Sequence, residues 1–229
     1  MTVDSARVIR FAALAGVGST ILTAAAYLTI GPNPDSDAPT ASVVRYYANH
    51  HSHVYVAGIL LAYAAVLFAI FGVVLWARMR DTTVNPVIAG TMLVGVAAAT
   101  VSNLAYASSW YVLGDLGGKA TVAAGAIQTL HISVSAGDLP GTFGLALLLL
   151  AVAVAGATAS AFPRWIAVSA GLLGILSIAP VAGMIGFLTG LAILLWTAAV
   201  GISLFLHPMR HTSAGASPSA STQTELAHG

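Results

Sequence analysis

The chain has 229 residues, of which 58% are apolar and 7% charged. A soluble domain carries about 25% charged residues, so this chain lacks the charge to cover a water-exposed globule, and its composition reads as an integral membrane protein. A net charge of +1 gives no basic field for nucleic acid, and the lack of cysteine excludes disulfides, Cys–zinc sites, iron–sulfur clusters and thiol catalysis. Gly114, Gly117 and Gly118 lack the preceding strand and the following Lys-Ser/Thr of a phosphate-binding loop.

A spanning helix needs about 20 apolar residues. In chain order, spans are expected at 11–30, 54–76, 86–106 and 141–161. The next apolar stretch, 166–206, has 41 residues; as one helix it would measure roughly 60 Å, twice the hydrocarbon thickness. Pro180, Gly183 and Gly186 favour a turn there, which divides it into spans at 166–182 and 186–206 folded as a hairpin. The expected fold is all-α: a polytopic membrane bundle of six transmembrane helices over residues 1–210. The remaining 211–229 are Ser-, Ala-, Thr- and Gly-rich; they cannot bury a core and are expected to form a disordered cytoplasmic tail. The first apolar run exceeds the 7–15 residues of a signal-peptide core, so it is read as a retained span.

Orientation follows from Lys and Arg. With six spans both ends share one side, and Arg7, Arg10, Arg78, Arg80, Arg164 and Arg210 all fall on it. Only Arg45 and Lys119 fall on the other. This predicts a plasma-membrane protein with both termini in the cytoplasm. Trp76 and Trp165 on the inner side, and Tyr55, Tyr106, Trp110 and Tyr111 on the outer, read as interfacial anchors.

Two outer segments remain. Gly31–His53 is a polar loop whose second half, from Ala41, could form a short surface helix. In Ala107–Asp138 the residues Ala123, Ile127, Leu130 and Val134 recur at helical spacing. They predict an amphipathic outer-face helix before the fourth span, with Lys119, Gln128, His131 and Ser135 elsewhere around it. In lipid, helices pack through small residues. Gly171 with Gly174, and Gly186 with Gly190, are read as intramolecular packing points ahead of a dimer motif.

The run Ala161, Phe162, Pro163, Arg164, Trp165, Ile166, followed by a Gly-rich hairpin, resembles a widespread family of small six-helix bacterial membrane proteins of unknown function. Val43, Val44, Arg45, Tyr46 and Tyr47, leading into the second span, are similar to its actinobacterial members. The resemblance implies the six-helix architecture and no particular activity.

Few residues could carry chemistry. His50, His51 and His53, with His131, could bind Zn or Cu if three or four nitrogens converge; otherwise they are polar tips in a headgroup layer. Asp138 adjoins the fourth span on the outer side. A carboxyl in an apolar site can act as a general acid, with His131 assisting, although Asp138-Leu-Pro-Gly also reads as a helix N-cap. Asn103, with Thr100 and Ser102, is the most polar cluster at membrane depth, and such amides usually bridge helices. Gln128 could face a cavity beside it. Tyr63 and Trp196 lie mid-span, where aromatics either pack or line an apolar pocket; Trp110 joins them as a candidate lining residue. No span core holds a charge, which argues against an ion pump or proton relay.

The leading expectation is a bundle that holds a membrane lipid or other apolar small molecule, without a cofactor. The alternatives are a membrane-embedded acid–base enzyme acting on a lipid or isoprenoid, of cyclase or isomerase type, and an outer-face metal-binding protein.

Overall fold

The computed structural model describes residues 3–80, 82, 84–119, 121–135, 139–178 and 184–207. All regular structure among them is helical: α1 (Val3–Ala12), α2 (Leu14–Ile30), α3 (Thr40–Arg80), α4 (Pro86–Gly117), α5 (Ala124–Ser135), α6 (Leu139–Ala159), α7 (Arg164–Ile178) and α8 (Met184–Leu206). Between α1 and α2, Ala13 keeps helical angles (φ −61°, ψ −29°) and its N–H reaches Ile9 O at 3.1 Å, so the two form one rod.

Five stretches are long and apolar enough to cross a membrane: Arg7–Ile30, Thr40–Arg80, Pro86–Gly117, Gly141–Ala159 and Leu188–Leu206. The expected span at 166–182 corresponds to α7, which has 15 residues. That is about 22 Å of helix against about 30 Å of hydrocarbon. Residues 179–183 of the expected hairpin turn, and the tail from 208, lie outside the described residues.

Two helices are longer than their apolar runs suggest. α3 holds 41 residues and measures about 60 Å, so about half of it lies beyond a single hydrocarbon thickness. The expected separate surface helix from Ala41 is its first part. Nothing between Pro39 and Gly58 breaks a helix, and the polar stretch through His53 changes only which solvent the helix meets. α4 holds 32 residues and runs on past Tyr106 to Gly117. Asn85 caps its start, accepting the Val87 N–H at 2.9 Å, with Pro86 in the first turn.

α3 and α4 are antiparallel and nearly touch. A Cβ on Gly58 would lie 2.5 Å from Tyr111 N, and one on Gly117 would lie 2.7 Å from Tyr47 O. Gly114 meets the Tyr55 backbone even more closely, and Gly72 receives the Val96 side chain. α4 meets α6 in the same way, at Gly95 against Leu148 and Gly144 against Ala99. Gly174 sits against Leu149 and Leu150, and Gly171 against Ala153, so both serve contacts within the chain.

The interior has two parts. Phe71, Leu75, Met79, Met92, Leu149, Val152, Ile166 and Trp196 fill the end where Arg10, Arg78 and Arg80 lie. Tyr47, Val54, Ala57, Trp110, Leu113, Ile127 and Val134 fill the other. α3 runs through both. Ser19 ties α2 to its middle, donating to Ala64 O at 2.9 Å.

Gly114→Ala is expected to push α3 and α4 apart and destabilise the fold by about 1–3 kcal/mol. Gly90, which has open space around it, should instead gain about 0.5–1 kcal/mol on becoming Ala. Denaturant unfolding in detergent, followed by circular dichroism, compares the two.

Candidate functional site

In the half of the molecule that carries Arg45 and Lys119, two features stand side by side: a cap with a buried inner face and an open groove. The cap is the loop 31–39 together with α5, which packs on α3 and α4. The chain leaves α2 at Gly31, whose φ of +66° is left-handed and suits glycine. Tyr46 then donates its hydroxyl to Ile30 O at 2.7 Å. Asp35 O accepts the Ala38 N–H at 3.0 Å, closing a turn.

His131 holds the cap from below. It is fully buried, on the same α5 face as Ile127 and Val134. This corrects the expectation that it lies off the apolar stripe: spacings of four and three residues place it on that stripe. Its Nε2 lies 3.1 Å from Asp35 O, and its Nδ1 lies 3.0 Å from the Tyr47 hydroxyl. A carbonyl only accepts, so Nε2 carries the proton, and in the neutral ring Nδ1 accepts from Tyr47. Burial first, then the neighbouring Tyr46 and Tyr106 phenols, raise the Tyr47 phenol above its ordinary range and keep it a donor. Both ring nitrogens are therefore engaged, with none left for a substrate. Gln128 adds a longer contact, Nε2 to Ala38 O at 3.4 Å, while its Oε1 is buried without a partner.

The groove lies between α3 and α4, with a volume of about 540 Å³. Its lining includes Gly58, Ala62, Tyr63, Leu104, Ser108 and Tyr111, with no charged side chain. Small residues make its floor, since α3 and α4 approach closely just above it. It opens to the side of the bundle, where Tyr63 is 63% exposed. At its upper end the Tyr55 and Tyr111 hydroxyls are 2.8 Å apart, and their rings lie 4.4 Å apart.

Of the five residues considered for an apolar ligand, Tyr63 lines this groove. Trp110 is buried against Tyr106, with ring centroids 6.1 Å apart, and its Nε1 has no partner; it is a core residue and not an interfacial anchor. Trp196 is likewise buried, and donates to Ser169 Oγ at 3.0 Å to join α8 to α7. Asn103 is half-buried on the α4 stripe that carries Ala99, Ala107 and Trp110. Asp138 lies outside the described residues.

The three neighbouring histidines are exposed on α3. His50 turns its Nδ1 to Tyr46 O at 2.9 Å and stacks on the Tyr46 ring. His53 is its neighbour, with centroids 6.3 Å apart. His51 faces Gly118 instead, with Nδ1 3.2 Å from Ala48 O. Among the described residues, no three His, Cys, Asp or Glu side chains converge in the way a metal site requires.

Sequence reasoning singled out Tyr63 but missed the groove, because its other lining residues, such as Gly58, Ala62, Leu104 and Ser108, are ordinary in an apolar helix. The pairing of Tyr55 with Tyr111 depends on the register of α3 against α4. Comparison with protein-family models, curated proteins and solved structures finds no match to this chain.

Tyr47→Phe should cost about 1–3 kcal/mol, because it leaves the buried His131 Nδ1 unpaired. Tyr47→Phe combined with His131→Phe should cost less than the sum of the two single changes. Unfolding free energies of the three variants, with hydrogen exchange across α5, check both points.

Proposed function

We propose that this chain is a multi-pass plasma-membrane protein that holds one lipid-like, apolar molecule in the groove between α3 and α4. The observation that carries this reading is the groove itself: about 540 Å³, uncharged, and open to the side of the bundle. That volume falls within the roughly 300–1,000 Å³ of small-molecule sites. The groove's α3 wall, Gly58 to Val66, belongs to the apolar run 54–76, and Leu104 on α4 to the run 86–106. Its neighbours at that depth are acyl chains, and a chain-like molecule enters sideways without crossing water. In this reading the molecule is bound and not transformed, since His131 is committed to the cap at both nitrogens.

The reading includes six crossings, with α7 as the shortest, and both termini in the cytoplasm. The arginines support that orientation. Arg10 Nε donates to Phe205 O at 2.7 Å, and Arg78 Nε donates to Ala161 O at 3.2 Å. Arg80 lies over the Trp76 ring at 4.7 Å. The start of the chain, the end of α3, the α6–α7 turn and the end of α8 therefore share one cation-rich end, as cytoplasmic ends do.

Two measurements test the two parts. Ser108 is exposed and bonds only back to Leu104 O of its own helix, so Ser108→Phe fills the groove at little cost to the fold. Native mass spectrometry should find a lipid adduct on the wild-type protein and lose it in this variant, with the unfolding temperature held within about 4 °C. Equal adducts on both proteins would sink the groove reading. For orientation, the absence of native cysteine allows single-cysteine labelling in intact cells. Ser36→Cys should react with an impermeant maleimide, and Pro163→Cys should react only after the membrane is opened. The reverse pattern would overturn the orientation.

A further inference from the structure

The hydroxyl groups of the groove narrow the class of molecule it holds; this inference rests on the groove reading above. Tyr55 and Tyr111 form a hydrogen-bonded pair at 2.8 Å. Tyr55 donates its hydroxyl to the Tyr111 oxygen, so the bond uses the Tyr55 donor and leaves the Tyr111 O–H. The pair therefore keeps one O–H, and Tyr111 lines the groove. Ser108 offers no donor, because its hydroxyl bonds Leu104 O at 2.9 Å. Tyr63 lines the groove lower down, in the middle of the apolar run, where no water reaches its hydroxyl. A phenol O–H without an acceptor in hydrocarbon is costly. Tyr63 would therefore favour a ligand that brings an acceptor, and Tyr111, at the upper end of the groove, has an O–H to offer one.

Charge points the same way. No Lys, Arg, His, Asp or Glu lines the groove, so nothing there would neutralise a phosphate or carboxylate, and an ion at that depth is expensive.

We infer that the groove takes an uncharged lipid whose carbonyl oxygen accepts a hydrogen bond from Tyr111 or Tyr63 while its chain lies along Gly58, Ala62 and Leu104. The ester carbonyl of a diacylglycerol and the ring carbonyl of a polyisoprenoid quinone share this chemistry.

The test uses the full chain in nanodiscs of phosphatidylglycerol doped with equal amounts of three probes: a diacylglycerol, a polyisoprenoid quinone, and a polyisoprenoid hydrocarbon without oxygen. Native mass spectrometry reads the adducts. One of the carbonyl lipids should be retained about tenfold over the hydrocarbon, the worth of one hydrogen bond, and the favoured one identifies the source. In a variant carrying Tyr63→Phe and Tyr111→Phe, that ratio should fall to about one. Hydrocarbon retention should stay unchanged, which also reports that the groove is intact. Equal retention of all three probes by the wild-type protein, or a preference that survives both substitutions, overturns the hydrogen-bond inference and leaves the groove reading standing. Phosphatidylglycerol held in preference to every neutral probe overturns the assignment of an uncharged ligand. No adduct of any kind overturns the groove reading, and this inference with it.

Discussion

The separation of α3 and α4 is set where Gly58 meets the Tyr111 backbone and Gly114 meets the Tyr55 backbone. In a membrane, apolar side chains gain little by leaving lipid for one another, so association depends on close packing. Glycine lets two backbones approach to a distance that any Cβ would prevent. This crossing also fixes the register of the pair. It sets the Tyr55 ring against Tyr111, puts Gly117 against Tyr47, and leaves a side-opening hollow where small residues face each other below the tyrosines. The groove and the cap thus both depend on the same two contacts.

Beyond the apolar run, the physics changes. The first turns of α3 and the last of α4 extend past one hydrocarbon thickness, and there the hydrophobic effect operates in full. Exposed faces of Val43, Tyr47, Val54, Trp110 and Leu113 would be costly. The loop 31–39 and α5 cover them, which is why this end has its own core. His131 itself is a fully buried polar group, and without partners it would be expensive. His131 answers Asp35 O and Tyr47 together. One imidazole, with a donor on one edge and an acceptor on the other, joins a loop, α3 and α5. An apolar residue in its place could fill the volume but not bridge the two.

Much of this was legible in the residues. Five of the six apolar runs fall on helices long and apolar enough to cross a membrane, because a crossing demands about 20 such residues in sequence; the sixth falls on α7, which is shorter. The stripe through Ile127 and Val134 located α5. The ends of α3 and α4 were not legible from hydropathy, which reports the surroundings of a helix and not its length. The absence of a breaker between Pro39 and Gly58, and the Gly117–Gly118 pair, were the better signals. His131 was set aside for its polarity although its spacing placed it inward. Trp110 was assigned to an interface because tryptophan often lies there, yet the length of α4 carries it into the core.

Composition and charge pattern by themselves determined that this chain is helical and built to cross a membrane, because both follow from transfer energies that each residue contributes separately. Which polar groups meet was decided only by tertiary structure. Tyr55 and Tyr111 are 56 residues apart, and His131 and Asp35 are 96 apart. Their pairing depends on helix register, and register is set by the shapes of facing surfaces that no single segment encodes. The groove is of the same kind: a hollow has no residue of its own, and exists only where two helices have been held at a given distance.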